Sequence, residues 1–595
     1  MRSSRKLFDP LLSFRKSSLA NSTVFERVTK QAQFHTCLNV MNFERDKSKQ
    51  REALTGTLSS ENISSTTCPF HSVERNHPMT ITSHESTSSQ PHVLKTQKTY
   101  EEIPGPNELP FFGSWFSFLK HAKNTSPFFL ELCEKYGDMV RVTALGHKML
   151  ILANPHMIGD LFKVEDKRSP LNSVRFYKDQ RGMELSSVEM KYDEDWNSVR
   201  QLYNIAMKPE FVEKVSVPQL TELNGEFLRR MIKYLHKTQD GNIDTYRLLN
   251  GVDAISRYGF DAVLKVFLGV TMTDDLVQSF PFNVADFVNY SVRGLDLAVR
   301  LDSKPAIYKY FKTAEFKELE MVFDRSFEYA RYCMARFKDN PSGKPRFVEL
   351  LQERAKDLPN AQAKVESVMI AFLQAAVDIT MRIMTHVMYR MAHHTEYQEK
   401  LYEECVQIFG EPTMDEITSE HGLEITAEQY KKLKHVKHFL EETLRLNSFA
   451  YMTQGRILNQ DREIGGYLIP KDTQILIMQR YATLRDEFCP RGTEFIPERH
   501  EKGSPLAMKS NYVSVPFGVG ARKCPGSRIA TTELHFGIIN LVRHFKLSHE
   551  NPQVFPESSF DQALLYIDLN KHPLYLTPRD HVKEYMKSVK MNNNY

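Results

Sequence analysis

A mainly α-helical chain with a small β part is the fold class this sequence predicts, and three stretches lead there. An apolar run from about Lys364 to Ala392 contains neither glycine nor proline. Tyr430 to Leu446 is basic at its start and helical in pattern throughout. A last strong helical pattern begins after Gly526 and ends near Phe545. Each has apolar residues at helical spacing, the primary sign of a packed helix.

Smaller elements follow from local signals. Pro127 to Tyr136 reads as a helix that stops at Gly137, a natural cap. Met139 to Val142 and Met149 to Leu152 read as short strands. Glu194 to Met207 is expected to be helical. Ile464 to Met478 alternates around Pro470, Lys471 and Asp472, which predicts a β hairpin. Asp240 to Asn340 is the least readable stretch. No internal repeat is visible.

Composition bounds the function. Of 595 residues, 41% are apolar, enough for a sizeable core, and the net charge of +4 is too mild to suggest nucleic acid. Seven cysteines are scattered with no C-x-x-C pair, so a zinc site is disfavoured and reduced thiols are expected. Most of them read as small core side chains. Nowhere are there about 18 consecutive apolar residues, so no transmembrane helix is predicted.

Residues 1–40 carry Arg2, Arg5, Lys6, Arg15, Lys16, Arg27 and Lys30 among serines, with Asp9 and Glu26 the only acids up to Lys30. Such an Arg- and Ser-rich, acid-poor segment is expected to be a mitochondrial transit peptide. Residues 41–99, rich in Ser, Thr and His, read as a disordered linker. Residues 100–595 are expected to form one large domain, opening with Ile103-Pro104-Gly105-Pro106.

The chemistry concentrates at Phe517 to Gly526, FGVGARKCPG. Gly518 and Gly520 permit tight turns or the close approach of a flat ligand. Cys524 sits at the start of a helix, where the dipole and amide N–H groups favour thiolate over thiol. Arg522 adds a bidentate donor suited to carboxylate, and Lys523 reinforces the field. A soft thiolate beside a carboxylate-binding arginine suits the iron of a haem with its propionates. The bland alternative is a buried cysteine before a helix, which leaves the arginine and glycines as coincidence.

This segment resembles the signature F-x-x-G-x-R-x-C-x-G of the cytochrome P-450 family, at Phe517, Gly520, Arg522, Cys524 and Gly526. The resemblance implies a single haem-binding domain of that fold. It also implies haem b as cofactor, with Cys524 as axial ligand of the iron. Glu442 and Arg445 match the family's E-x-x-R, and the segment Pro497-Glu498-Arg499-His500 resembles its P-E-R-F/W. By resemblance, Glu442, Arg445 and Arg499 form a buried structural network. Trp196 and Arg200 resemble the family's W-x-x-x-R helix, and with Arg456 they are implied partners of the propionates.

The oxygen-activating helix departs from the pattern. The family carries A/G-G-x-D/E-T-T/S, and this chain has Ala375-Ala376-Val377-Asp378-Ile379-Thr380. Asp378 and Thr380 are the implied proton-relay residues. Ile379, which cannot carry a proton, replaces the threonine after the acid. Thr380 lies about 100° further round the helix. Met369, Phe372, Leu373 and Met384 read as core packing.

No G-x-G-x-x-G follows a strand, so electrons must come from another protein. Tyr177-Lys178-Asp179-Gln180-Arg181-Gly182, and the stretch from Gly455 to Pro470, resemble the mitochondrial branch of the family. That branch takes electrons from an acidic ferredoxin. Lys431, Lys432, Lys434, Lys437 and Arg528 form the candidate docking patch. Glu441 and Ser527 depart from the basic residues common there.

The expected activity is insertion of one oxygen atom of O2 into an apolar, sterol-like or xenobiotic molecule. The expected place is the matrix side of the mitochondrial inner membrane, with peripheral membrane association. The endoplasmic reticulum is the alternative location. Ile379 keeps two other functions open: a haem-thiolate isomerase or dehydratase, and a haem-binding protein without turnover.

Overall fold

The computed structural model describes residues 98–592, apart from Phe111, 122–124, Leu145, 164–170, Val188, 191–195, 238–244, 249–250, 303–305, 449–452, 557–558, 562–563 and Asn570. The transit-peptide and linker expectations, with Cys37 and Cys68, thus lie outside the described residues, except for Lys98 and Thr99.

Helices dominate. Those that frame the site are α1 (Thr125–Tyr136), α2 (Trp196–Tyr203), α3 (Gly251–Leu268), α4 (Val284–Asp302), α5 (Ala314–Arg336) and α6 (Ala361–His393). They continue with α7 (Thr395–Phe409), α8 (Ala427–Lys432), α9 (His435–Leu446) and α10 (Ser527–His544). The 33-residue α6 runs through the core and packs against α3, α4, α5 and α10. Leu373, Val387, Tyr389 and Met391 on it are wholly buried, which is why so apolar a sequence is stable there.

The β part is small. Strands β1 (Met139–Ala144), β2 (His147–Leu152), β3 (Thr453–Ile457) and β6 (Gln474–Ile477) form one sheet in the order β1-β2-β6-β3. Strands β4 (Arg462–Ile464) and β5 (Tyr467–Ile469) pair in a second sheet, which Lys98–Thr99 joins in parallel. Tyr100 follows, buried, and donates its hydroxyl to the carbonyls of Met149 and Val142. A core separate from the helical one fills the space beneath, with Ile103, Leu150, Leu152, Ile475 and Ile477.

Two expectations are corrected. The hairpin turns at Gly465-Gly466, where φ is 58° and 83°, a left-handed conformation that favours glycine. Pro470 to Asp472 instead link two sheets, because β6 pairs with β2 in parallel and with β3. The stretch from Tyr430 to Leu446 is also not one helix, because it breaks at Leu433-Lys434. Glu404 of α7 accounts for the break. Its carboxylate accepts from the backbone N–H groups of Lys434, His435 and Val436 at 2.6, 2.8 and 2.9 Å. These are the unsatisfied donors of a helix start, so an anion placed there begins a new helix.

Candidate haem-thiolate site

The cysteine loop is shaped by its backbone. Cys524 donates its N–H to the carbonyl of Phe517 at 2.8 Å, and Lys523 donates to Gly520 at 3.0 Å. Gly518 and Gly520 have φ of 67° and 70°, which a side chain would strain. Gly526 differs, because a Cβ there would meet Phe372 at 3.6 Å and the Cys524 sulfur at 3.9 Å, ordinary contact. The protein's own atoms therefore do not demand glycine at 526. The same distances place Phe372 of α6 and the Cys524 thiol around one point at the start of α10.

Among the described cysteines, Cys524 alone is exposed. Cys133, Cys333, Cys405 and Cys489 are buried. Burial pushes the thiols of Cys133, Cys333 and Cys405 up to about 12, so they behave as inert core groups.

Cations surround the loop. Arg200 is buried and donates Nη2 to the carbonyl of Lys523, immediately before the cysteine, while its Nε has no hydrogen-bond partner among the described residues. Burial pulls its guanidinium below the ordinary range, and the negative charge of Cys524 opposes this. Arg522 stacks its guanidinium 3.8 Å from the Trp196 ring centroid. Trp196 donates its indole N–H to the carbonyl of Ser187 at 3.1 Å, so an approach to a ligand carboxylate would have to exchange that bond. Arg456, on β3, is buried, donates to the Val519 carbonyl at 3.3 Å and lies over the Phe162 ring. Phe517 is partly buried against the helical core. A cleft of about 400 Å³ opens beside the loop, lined by Trp196, Arg200, Met207, Gly520 and Ala521.

Residues 375–380 lie mid-way along α6. Ala375 is exposed, Ala371, Ile379 and Arg382 are half-buried, and Thr380 is buried. Positions 371, 375, 379 and 382 share one helix face, so Ile379 lies on the open stripe and Thr380 inside the core. The side chain of Asp378 lies outside the described part of the structure.

Glu442, Arg445 and Arg499 meet as a fully buried cluster. Arg445 grips Glu442 with two bonds of 2.8 and 2.7 Å, and Arg499 Nε donates to the same carboxylate at 2.9 Å. The remaining guanidinium N–H groups donate to carbonyls of Thr483, Gly492, Glu494, Pro490, Arg491 and Leu506. Sequence reasoning missed a fourth member. His500 places Nε2 3.0 Å from Glu442, and its Nδ1 faces Glu441 at 3.4 Å. The signal was there, since histidine stands where the resembling family has Phe or Trp. Burial raises the Glu442 carboxyl, but the bonds and charges of Arg445, His500 and Arg499 outweigh it and hold the group at about 2.

The segment Tyr177 to Gly182 is pinned from two sides. Tyr177 donates its hydroxyl to Asp324 of α5 at 2.7 Å, and Arg181 grips the same carboxylate with two bonds of 2.9 Å. Lys178 is buried, pairs with Glu189 at 3.1 Å and donates to Ser367 of α6.

The basic patch is partly neutralised. Lys431 pairs with Glu213 and Glu428, Lys434 with Glu501, and Lys437 donates to the Lys431 carbonyl. Arg528 donates to the carbonyl of Met207. Lys432 is exposed, with no ion-pair partner among the described residues.

The donor set is therefore one accessible thiol at a helix start and a buried guanidinium, Arg200, that no carboxylate faces among the described residues. Such a set is chemically suited to a flat, iron-bearing ligand with anionic edges, as in a haem-thiolate protein. Comparison with known sequences agrees: the sequence model described as Cytochrome P450 matches residues 103–573, and the chain belongs to that family. It is similar to "Probable cytochrome P450 12b2, mitochondrial" of Drosophila melanogaster, 26% identical over 76% of this chain and 85% of that protein. It is also similar to "Cytochrome P450 27C1" of Danio rerio, 25% identical over 76% and 82%. "Cytochrome P450 3A16" of Mus musculus is 24% identical over 81% and 92%. The chain is thus a monooxygenase of this family that binds haem b through a cysteine thiolate.

Proposed function

We propose that Cys524 is the axial thiolate, and that the enzyme is a mitochondrial, ferredoxin-supported monooxygenase acting on an apolar small molecule. The single observation that carries this is the accessible thiol of Cys524 at the head of α10, beside the buried guanidinium of Arg200. When bound, the haem supplies the iron at which O2 is reduced and cleaved. Arg200, Arg522 and Arg456 would hold its carboxylate edge, Trp196 would join them by giving up its bond to the Ser187 carbonyl, and the first turn of α10 would stabilise the sulfur anion. Glu442, Arg445 and Arg499 lock the chain on the thiolate side. Asp378 brings protons from α6, with Thr380 one position beyond Ile379.

The mitochondrial assignment rests on the names of the 12b2 relative and on the Arg- and Ser-rich N-terminus. Ferredoxin dependence rests on the same likeness and on the lysines around Lys432. Peripheral membrane association is supported by Tyr310 and Phe311, 82% and 74% exposed between Lys309 and Lys312. Aromatic side chains flanked by lysines suit an anionic bilayer surface.

The carbon-monoxide difference spectrum of the reduced, purified protein tests the central reading. A thiolate-type Soret band is expected, and Cys524→Ala is expected to lose it. An unaltered band in that variant would remove Cys524 from the site. Converting Lys434 and Lys437 to glutamate is expected to slow ferredoxin-driven reduction most at low salt. An unchanged salt-dependent rate would take the patch out of the account.

One observation favours a second reading. With Ile379 on the open stripe and Thr380 in the core, proton delivery lacks its usual hydroxyl. A haem-thiolate isomerase or dehydratase, which needs no delivered protons for O–O cleavage, fits that arrangement. Absence of ferredoxin-dependent oxygen consumption with a lipid extract, despite a normal carbon-monoxide complex, would favour it.

A further inference from the structure

Met207 is a residue whose chemistry the haem site leaves unused. It follows α2 at the end of a short 3₁₀ turn, Asn204–Met207, and lines the cleft beside the cysteine loop. Its thioether lies 3.4 Å from Nη2 of Arg200. That same nitrogen donates to the carbonyl of Lys523, the residue before Cys524. Two acceptors thus meet the two N–H groups of one nitrogen: a strong carbonyl and a weak sulfur. The Met207 carbonyl is held separately by Arg528, so the backbone is fixed while the sulfur faces Arg200.

We propose that Met207 is an oxidation site that controls the position of Arg200. Hydrogen peroxide transfers one oxygen atom to the sulfur. The O–O bond breaks, the thioether loses two electrons to become a sulfoxide, and the second oxygen leaves as water. The sulfoxide oxygen is a strong acceptor where the thioether was a weak one. It pulls harder on its own N–H of Nη2 than the thioether did, and draws the guanidinium toward residue 207 and away from the loop. Arg200 is a buried cation that feels the charge of Cys524, so its displacement alters the field at the sulfur. The oxidant has a source in the protein's own chemistry, because oxygen reduction without efficient proton delivery releases hydrogen peroxide. That link rests on the proposed role of Ile379, while the modification itself does not.

The test uses the full-length holoenzyme treated with hydrogen peroxide. Sulfoxide at Met207 is followed by peptide mass, with Met321, 47% exposed on α5, as the internal reference. The haem reduction potential and the carbon-monoxide Soret band are read in parallel, before and after methionine sulfoxide reductases. The expected result is a shift in both that tracks Met207 oxidation and is reversed by the reductases. Met207→Leu, compared with its own untreated sample, is expected to lack the reversible shift, and Met321→Leu to keep it. Should Met207→Leu not retain haem, reversal in the wild type decides alone. The inference is overturned if Met207 stays reduced at doses that oxidise Met321. It is equally overturned if the oxidised protein shows no shift, or a shift the reductases do not reverse. A missing thiolate-type band in the untreated protein would instead sink the assignment of Cys524, so the two failures are distinguishable.

Discussion

Ile379→Thr restores a hydroxyl on the open stripe of α6, one turn beyond Ala375. Hydrogen peroxide released per electron pair is expected to fall, by up to about a hundredfold if general acid catalysis at this position is worth the low end of its usual range. Unchanged peroxide yield would show that Ile379 does not limit coupling. Glu533 offers a second test. This carboxyl is fully buried on α10, its Oε1 has no described partner, and burial raises it well above the ordinary range. A group raised in the folded state contributes stability below its unfolded value that is lost as pH rises toward the folded one. Glu533→Gln is therefore expected to gain on the wild type in thermal unfolding as pH climbs above about 4.5, the ordinary carboxyl value. Parallel pH profiles would count against it. The cysteine loop stood out in the residues alone because its glycines, arginine and cysteine fall within seven positions of one another in the chain. His500 showed only as a departure from the Phe or Trp of the resembling family, and what it binds was hidden because its partner Glu442 is 58 residues away. The fate of the Trp196 indole was hidden for the same reason, since a backbone carbonyl carries no sequence signal.

Elements were legible where periodicity is local. α6, α10, β1 and β2 follow from their own apolar spacing, and the match is within a few residues. The interruption between α8 and α9 was not, because its cause sits on α7. Glu404→Ala is expected to destabilise α9 by about 1–2 kcal/mol, the ordinary cost of a lost helix cap. Hydrogen exchange at His435 and Val436 would check it, with no change in protection speaking against the cap. The Glu442 network acts across elements and has its own pH signature. A carboxyl held at about 2 contributes stability that is complete above its unfolded value near 4.5 and lost as pH falls toward 2. Glu442→Gln leaves Arg445 and Arg499 buried without their countercharge and is expected to cost about 3–5 kcal/mol. Thermal unfolding of the full chain between pH 7 and pH 3 would measure both. α3, α4 and α5 fall in the stretch that sequence reading left blank, because polar residues interrupt their apolar faces. Arg293 of α4, for example, pairs with Glu318 of α5 on a half-exposed helix surface.

At the scale of the whole molecule, apolar side chains left outside carry information. Tyr310 and Phe311 project between α4 and α5, and Leu109, Phe112 and Phe116 are exposed near the start of the described chain. Replacing Tyr310 and Phe311 with serine is expected to weaken binding to anionic phospholipid vesicles several-fold, through loss of buried apolar area. Co-sedimentation with vesicles would measure this, and equal binding would exclude the loop from the contact. Fold class was legible from the start because helix-length apolar runs outnumber alternating ones. Which helices meet was not, since packing is decided by pairs such as Tyr177 and Asp324 that lie far apart in the chain. That last pair has a consequence for traffic through the enzyme. The strip from Tyr177 to Glu189 is riveted to α5 by one carboxylate and to α6 by a buried lysine. Lifting it breaks the Tyr177 and Arg181 bonds to Asp324 and the Lys178 bond to Ser367, each worth about 0.5–1.5 kcal/mol or somewhat more where a charge takes part, so such a panel swings out only rarely. Cargo that arrives faster than this must pass by another door.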